Sequence, residues 1–194
     1  MKRRVLSLLV VALFTAAAWA QGSEWQIDPA HTTVAFTVRH MGISNVHGRF
    51  TKVTGSAVVD DNDPSKDSVN ATIDATSIDT GVQMRDNDLK SANYFDVAQF
   101  PTIIFKSKNV SKAGDGKLKV VGDLTIHGLT KEVTLDVEGP SAPAKMGPNL
   151  KRGLSATTSV NRKDFGVGAK TPSAMVGEDI KIELDVELGQ KAAQ

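Results

Sequence analysis

The sequence predicts an all-β protein, an antiparallel sheet of about eight strands closed as a barrel or folded as a two-layer sandwich, with one short helix. Successive segments alternate apolar and polar residues with a period of two, so each has one apolar face. Turn signals rich in Gly, Pro, Asn and Asp separate these segments at fairly even spacing. Neighbouring segments read as hairpins, which disfavours a parallel sheet.

Taken in order, residues 1–20 carry the basic Lys2-Arg3-Arg4, an apolar run from Val5 to Phe14 and the small-x-small end Ala18-Trp19-Ala20. That pattern is a cleaved secretory signal peptide and is too short for a spanning helix. The expected mature chain, residues 21–194, is read as a single domain exported to the periplasm. Removing the three basic residues leaves 20 Lys+Arg against 22 Asp+Glu, a balance without the footprint of a nucleic-acid binder or a polybasic membrane patch. There is no cysteine, so packing and strand pairing must hold the fold together. No other apolar run is long enough to cross a bilayer, and stable membrane insertion is not expected.

The stretch from Ile27 to Phe50 organises the rest. Val34, Phe36 and Val38 share one face of a strand, opposite Thr33, Ala35, Thr37 and Arg39, and His40 has the parity of the apolar row. Beyond Met41-Gly42 a second extended piece carries Val46, Gly48 and Phe50. A hairpin spans 52–75, broken by a polar turn that contains Pro64. A helix is expected over about 82–92, capped by Asp79 or Thr80, with Val82 and Leu89 on one face.

Strands follow over 102–110 and 117–126, the latter with Leu118, Val120, Leu124 and Ile126 on one face. Another places Val133, Leu135 and Val137 together, and Gly139 to Asn149 reads as a mobile loop with three prolines. A strand near 151–160, a turn from Asn161 to Gly168 and a last strand complete the chain. In the last, Ile180, Ile182, Leu184, Val186 and Leu188 oppose Lys181, Glu183, Asp185 and Glu187.

The motifs of catalysis are missing. The four histidines, at 31, 40, 47 and 127, form no HxH or HExxH and have no cysteine to join them, so no metal is expected. There is no G-x-S-x-G elbow, and Gly166-Val167-Gly168 lacks the setting of a nucleotide loop. An enzyme is disfavoured, and no cofactor is called for. An apolar cavity lined by Val, Ile, Ala and Leu fits better, because a barrel of about eight strands either fills with side chains or holds one small ligand.

The ordered set Asp28-Pro29-x-His31, Val34-x-Phe36-x-Val38-x-His40, Val46-x-Gly48-x-Phe50, Arg85-Asp86-x-x-Leu89 and Phe95-Asp96 resembles the YceI-like family of bacterial periplasmic proteins. So do Phe100-Pro101-x-x-x-Phe105-x-Ser107, Gly122-x-Leu124-x-Ile126-x-Gly128-x-Thr130, Asn161-Arg162-x-Asp164-Phe165-Gly166 and Val176-Gly177. The late loop departs from the family pattern, with Met146-Gly147-Pro148-Asn149 in place of Asp-Pro-Trp-Gly.

The resemblance implies an extended, lipocalin-like, eight-stranded antiparallel barrel. It would enclose a polyisoprenoid or another long-chain, quinone-related amphiphile, without catalysis. Carried over by position, the ligand set is Val34, Phe36, Val38, His40, Phe95, Phe105, Leu124, Ile126 and Phe165. His40, Arg85 or Arg162 would meet the polar head. Rival readings are the same barrel holding a fatty acid or its amide, an enzyme acting on a lipid head group, and a structural module with a filled core. Whether the chain pairs as a homodimer is left open.

Overall fold

The computed structural model describes residues 22–191, so the expected signal peptide lies outside the described residues. Among the described residues there are twelve strands: β1 (Ser23–Ile27), β2 (Thr33–His40), β3 (Ser44–Phe50), β4 (Val53–Val59), β5 (Ser68–Asp74), β6 (Ile78–Asp79), β7 (Thr102–Gly114), β8 (Lys117–Ile126), β9 (Leu129–Glu138), β10 (Ala144–Met146), β11 (Asn149–Asn161) and β12 (Val176–Lys191). One helix, α1 (Gln83–Lys90), lies between β6 and β7.

The sheet closes on itself. Going round, β11, β9, β8, β7, β5, β4, β1 and β12 are neighbours, and β12 returns to β11, giving a closed eight-strand antiparallel barrel. β2 continues β1 along the same edge of β12, pairing Val38 with Ile180 and Val34 with Leu184, while Ile27 pairs with Leu188. β3 likewise continues β4, and β6 continues β5. Three adjacent wall strands are therefore interrupted, and these breaks together with the short β10 beside β11 turn the expected count of about eight into twelve segments.

Local chemistry accounts for the breaks. After β1, the Asp28 carboxylate accepts the Ala30 N–H at 3.0 Å and Pro29 removes a ladder donor. Between β3 and β4, the Thr51 N–H donates to the Ser77 carbonyl and the Lys52 N–H to the Ser77 hydroxyl. Ser77 itself belongs to the 3₁₀ turn Ala75–Ser77 that separates β5 from β6, so the two interruptions support each other.

Alternation sets the inside. In β8, Val120, Gly122, Leu124 and Ile126 are buried while the residues between them are not. The outer face carries cross-strand ion pairs such as Lys119–Asp136 (2.6 Å) and Lys117–Glu138 (3.1 Å). Pairs so exposed contribute about 0–1 kcal/mol each and chiefly keep the wall polar.

Gly122 allows a close approach: a Cβ there would lie 2.6 Å from Cζ of Phe105. Gly48 lies in the same way beneath the Phe36 ring, the two residues being paired across β2 and β3. Gly122→Ala is expected to cost about 1–3 kcal/mol through overpacking, measured as a lower urea midpoint at unchanged slope.

Three expectations are corrected. The position before α1 is Val82, with no side-chain cap, instead of Asp79 or Thr80. Asp86 of the first turn instead reaches back to accept the Thr80 N–H (2.9 Å) and hydroxyl (2.5 Å), which ties the helix start to the segment before it. Val82 is exposed, so only Leu89 of the expected pair faces inward. The segment 139–149 contains β10, which pairs with β11 through Ala144–Lys151 and Met146–Asn149.

Candidate functional site

The inward rows enclose an apolar cavity of about 280 Å³. Every wall strand contributes, from Val34, Phe36 and Val38 of β2 to Ile180, Ile182, Leu184, Val186 and Leu188 of β12. At the end that holds the β2–β3 hairpin, it is closed over by Leu89 of α1 and by Tyr94 and Phe95 from the segment after it. At the other end Asp67, Ser68 and Pro140 join the lining. The Phe50 ring joins the walls to this cover, 5.8 Å from Phe36 and 5.7 Å, edge-on, from Phe95.

Among the residues singled out from sequence, Val34, Phe36, Val38, Phe95, Phe105, Leu124, Ile126, Arg162 and Phe165 line the cavity. His40 and Arg85 do not line it. His40 ends β2 at the hairpin and is exposed, because the strand's inward row has already passed the barrel rim there. Arg85 donates from Nε to the Thr80 hydroxyl (2.8 Å) and from Nη2 to the Thr80 carbonyl (2.9 Å), which ties α1 to the strand before it.

Arg162 is buried, and its guanidinium is saturated. Nε donates to Gly177 O, Nη1 to Val167 O and Gly168 O, and Nη2 to Thr171 O and Val176 O, at 2.6–3.0 Å. All five N–H groups serve backbone carbonyls. The residue therefore holds the 162–177 loop against the barrel end and has no donor left for a head group.

Glu178 secures the same loop. The Lys163 ammonium, the Ser173 hydroxyl and the Asn161 amide hold its carboxyl down at about 2, against an ordinary 4.5. A pKa lower in the folded state means stability fully present above 4.5 and lost as pH falls towards 2. The melting temperature of the native protein should therefore exceed that of Glu178→Gln at neutral pH. The gap should narrow between pH 4.5 and 2 and vanish below that range.

Asp28, His31 and Glu187 bring three potential metal ligands within 4.8 Å of one another. The Lys151 ammonium already sits among them, 2.6 Å from Asp28 and 2.8 Å from Glu187. Lys151 first, and then His31, hold the Asp28 carboxyl well below the usual range. The group works as an ion pair joining the β1–β2 turn to β11 and β12. The His127 ring packs against Phe100, with centroids 4.6 Å apart.

Reading the sequence for cavity residues missed Leu154, Ala156, Thr158 and Val160 of β11, although their parity is uniform. It also missed Asp67 in the lining and, buried just beyond the cavity, Trp25 and Arg152.

An antiparallel barrel of eight strands with an apolar interior belongs to the class of small closed barrels, whose interiors are either filled by side chains or hold one small ligand. The chain is a member of the YceI-like domain family, whose model matches residues 25–188. It is 33% identical over 189 residues to protein YceI of Escherichia coli O157:H7, covering 96% of this chain and 97% of that one. The crystal structure of Burkholderia cenocepacia BcnA superposes with a TM-score of 0.74 at 25% identity, covering 83% of this chain and 98% of that one. A polyisoprenoid binding domain from Saccharophagus degradans, implicated in plant cell wall breakdown, shares the fold, with a TM-score of 0.63 at 14% identity over 87% of this chain and 98% of that one.

Proposed function

We propose that this protein is a periplasmic carrier that encloses the tail of an isoprenoid or quinone-related amphiphile in its barrel. The observation that carries the reading is the cavity: a continuous interior lined almost wholly by aliphatic and aromatic side chains. The polyisoprenoid binding domain of the same fold supports the ligand class. The reading assigns no catalytic step, since Arg162, the buried cation at one end, is fully engaged by carbonyls. Export rests on the pattern of residues 1–20. Among the described residues, no helix is long and apolar enough to cross a membrane.

The volume sets the scale. A cavity of about 150 Å³ admits benzene, so 280 Å³ takes about eleven carbons, or two isoprene units. Eleven buried carbons contribute about 9 kcal/mol gross, comparable with the cost of association. Tight retention therefore requires a longer tail, with wall side chains such as Phe36 and Leu118 moving aside as it enters.

Competition distinguishes the cargo. With a fluorescent lipid bound, a polyprenol should displace it at lower concentration than a saturated fatty acid or fatty amide of equal carbon number. Equal or better displacement by the linear chains would reassign the cargo to them.

A further inference from the structure

At the barrel end away from α1, the inward rows continue one step beyond the cavity walls. Trp25 follows Ile27 on β1, and Arg152 follows Leu154 on β11. Trp25 is 2% exposed and Arg152 3%. The guanidinium stacks on the indole, 4.9 Å from its centroid. Only Nη2 of Arg152 is engaged, by both carboxylate oxygens of Asp61 at 2.6 Å, and Asp61 is largely in solvent.

Arg152 Nε, Arg152 Nη1 and Trp25 Nε1 are buried without a hydrogen-bond partner. Buried donors are rarely left so, because each unmet one costs stability. These three belong to one stacked pair at the barrel end where Asp67, the one carboxylate in the cavity lining, lies, and the Arg152 charge acts on that carboxyl. One Asp67 oxygen accepts the Asp60 N–H at 2.7 Å. Burial pushes the Asp67 carboxyl up, the Asp60 N–H opposes that rise, the charges of Asp60 and Asp61 add to it, and Arg152 opposes it.

We infer that Asp67, Arg152 and Trp25 form the head-group site of the cavity, and that it takes an uncharged hydroxyl, as in a polyprenol or a prenylated phenol. A hydroxyl both donates and accepts. It donates a hydrogen bond to Asp67, and its two lone pairs receive two of the three unmet donors of Arg152 and Trp25. Neither residue is part of the cavity lining, so the guanidinium turns about its Asp61 anchor to present its donors as the head arrives.

The charge balance selects against an anion. Asp61 holds the Arg152 guanidinium, Asp60 and Asp61 add their negative charge at Asp67, and the nearby Lys66 ammonium is shared between Asp60 and Asp63 at 3.7 and 3.6 Å. A phosphate or carboxylate head would face net negative charge in a poorly solvated place.

This inference rests on the carrier reading, and its test separates the two. Farnesol, farnesyl phosphate and the headless hydrocarbon farnesene are titrated into the delipidated protein, Arg152→Met and Asp67→Asn. The native protein should bind farnesol about five- to tenfold more tightly than farnesene, the worth of one or two net hydrogen bonds. Farnesyl phosphate should bind weakest. Arg152→Met should erase the preference for farnesol and leave farnesene unchanged; it should fold, because the partner it leaves behind, Asp61, is largely in solvent and is not stranded as a buried charge. Asp67→Asn should raise the affinity for farnesyl phosphate and so tests the site even if Arg152→Met is unstable.

Equal affinity for farnesol and farnesene in the native protein, or tightest binding of the phosphate, would overturn the head-group site and leave tail binding standing. So would unchanged selectivity in both variants. Failure of all three probes to bind would overturn the carrier reading and the site with it.

Discussion

Replacing Arg162 by methionine is expected to destabilise the protein by about 3–5 kcal/mol, the range found when one partner leaves a buried, hydrogen-bonded charge. The methionine fills a similar volume but leaves the carbonyls of Gly177, Val167, Gly168, Thr171 and Val176 without their donor. Lysine should recover little, since one ammonium has three donors and no planar fork to span five carbonyls. Urea unfolding of the three proteins measures the differences directly. A loss below about 1 kcal/mol for Arg162→Met would mean that the loop finds other partners and that the arginine is not its anchor.

Ala156→Trp is expected to abolish lipid loading while leaving the barrel folded. Ala156 is 3% exposed, faces the cavity midway along β11, and is paired with Val137 on one side and Leu184 on the other. Most buried positions would be overpacked by an indole, but this one adjoins a void that can receive it. The indole would displace at least four carbons of the tail, worth about 3 kcal/mol or a hundredfold in affinity. Near-native unfolding together with undiminished lipid uptake would show that the ligand lies elsewhere.

Much of the barrel was legible from strand parity. The inward rows of β8 and β12 in the structure, Leu118 to Ile126 and Ile180 to Leu188, are those the alternation picks out. Closure was not legible. The alternation fits a barrel or a sandwich equally, and the choice depends on β12 pairing with β11 along one edge and with β1 and β2 along the other. The short segments β1, β6 and β10 escaped for a different reason. Their five, two and three residues are too few to show a period, and they depend on tertiary pairing.

The polar residues were the least legible. A buried arginine bonded to carbonyls, a helix-linking arginine and a solvent-facing arginine look alike in sequence, because the distinction lies in which backbone groups reach them. Arg162 drew attention through its motif and proved to be a loop anchor. Arg152 sits on the inward row of β11 between Leu150 and Leu154, where a charge is costly unless partnered. That interruption of an apolar row was the available signal for an unusual position at the barrel end.

Native mass spectrometry of the protein, purified without detergent and then extracted into organic solvent, is the most direct test that the barrel is a lipid carrier. The expected spectrum shows a one-to-one adduct that Ala156→Trp lacks, and the extract contains a lipid with an isoprenoid tail. A mass equal to the bare polypeptide, with no uptake of added polyprenyl lipids, would contradict it and leave the cavity without a cargo.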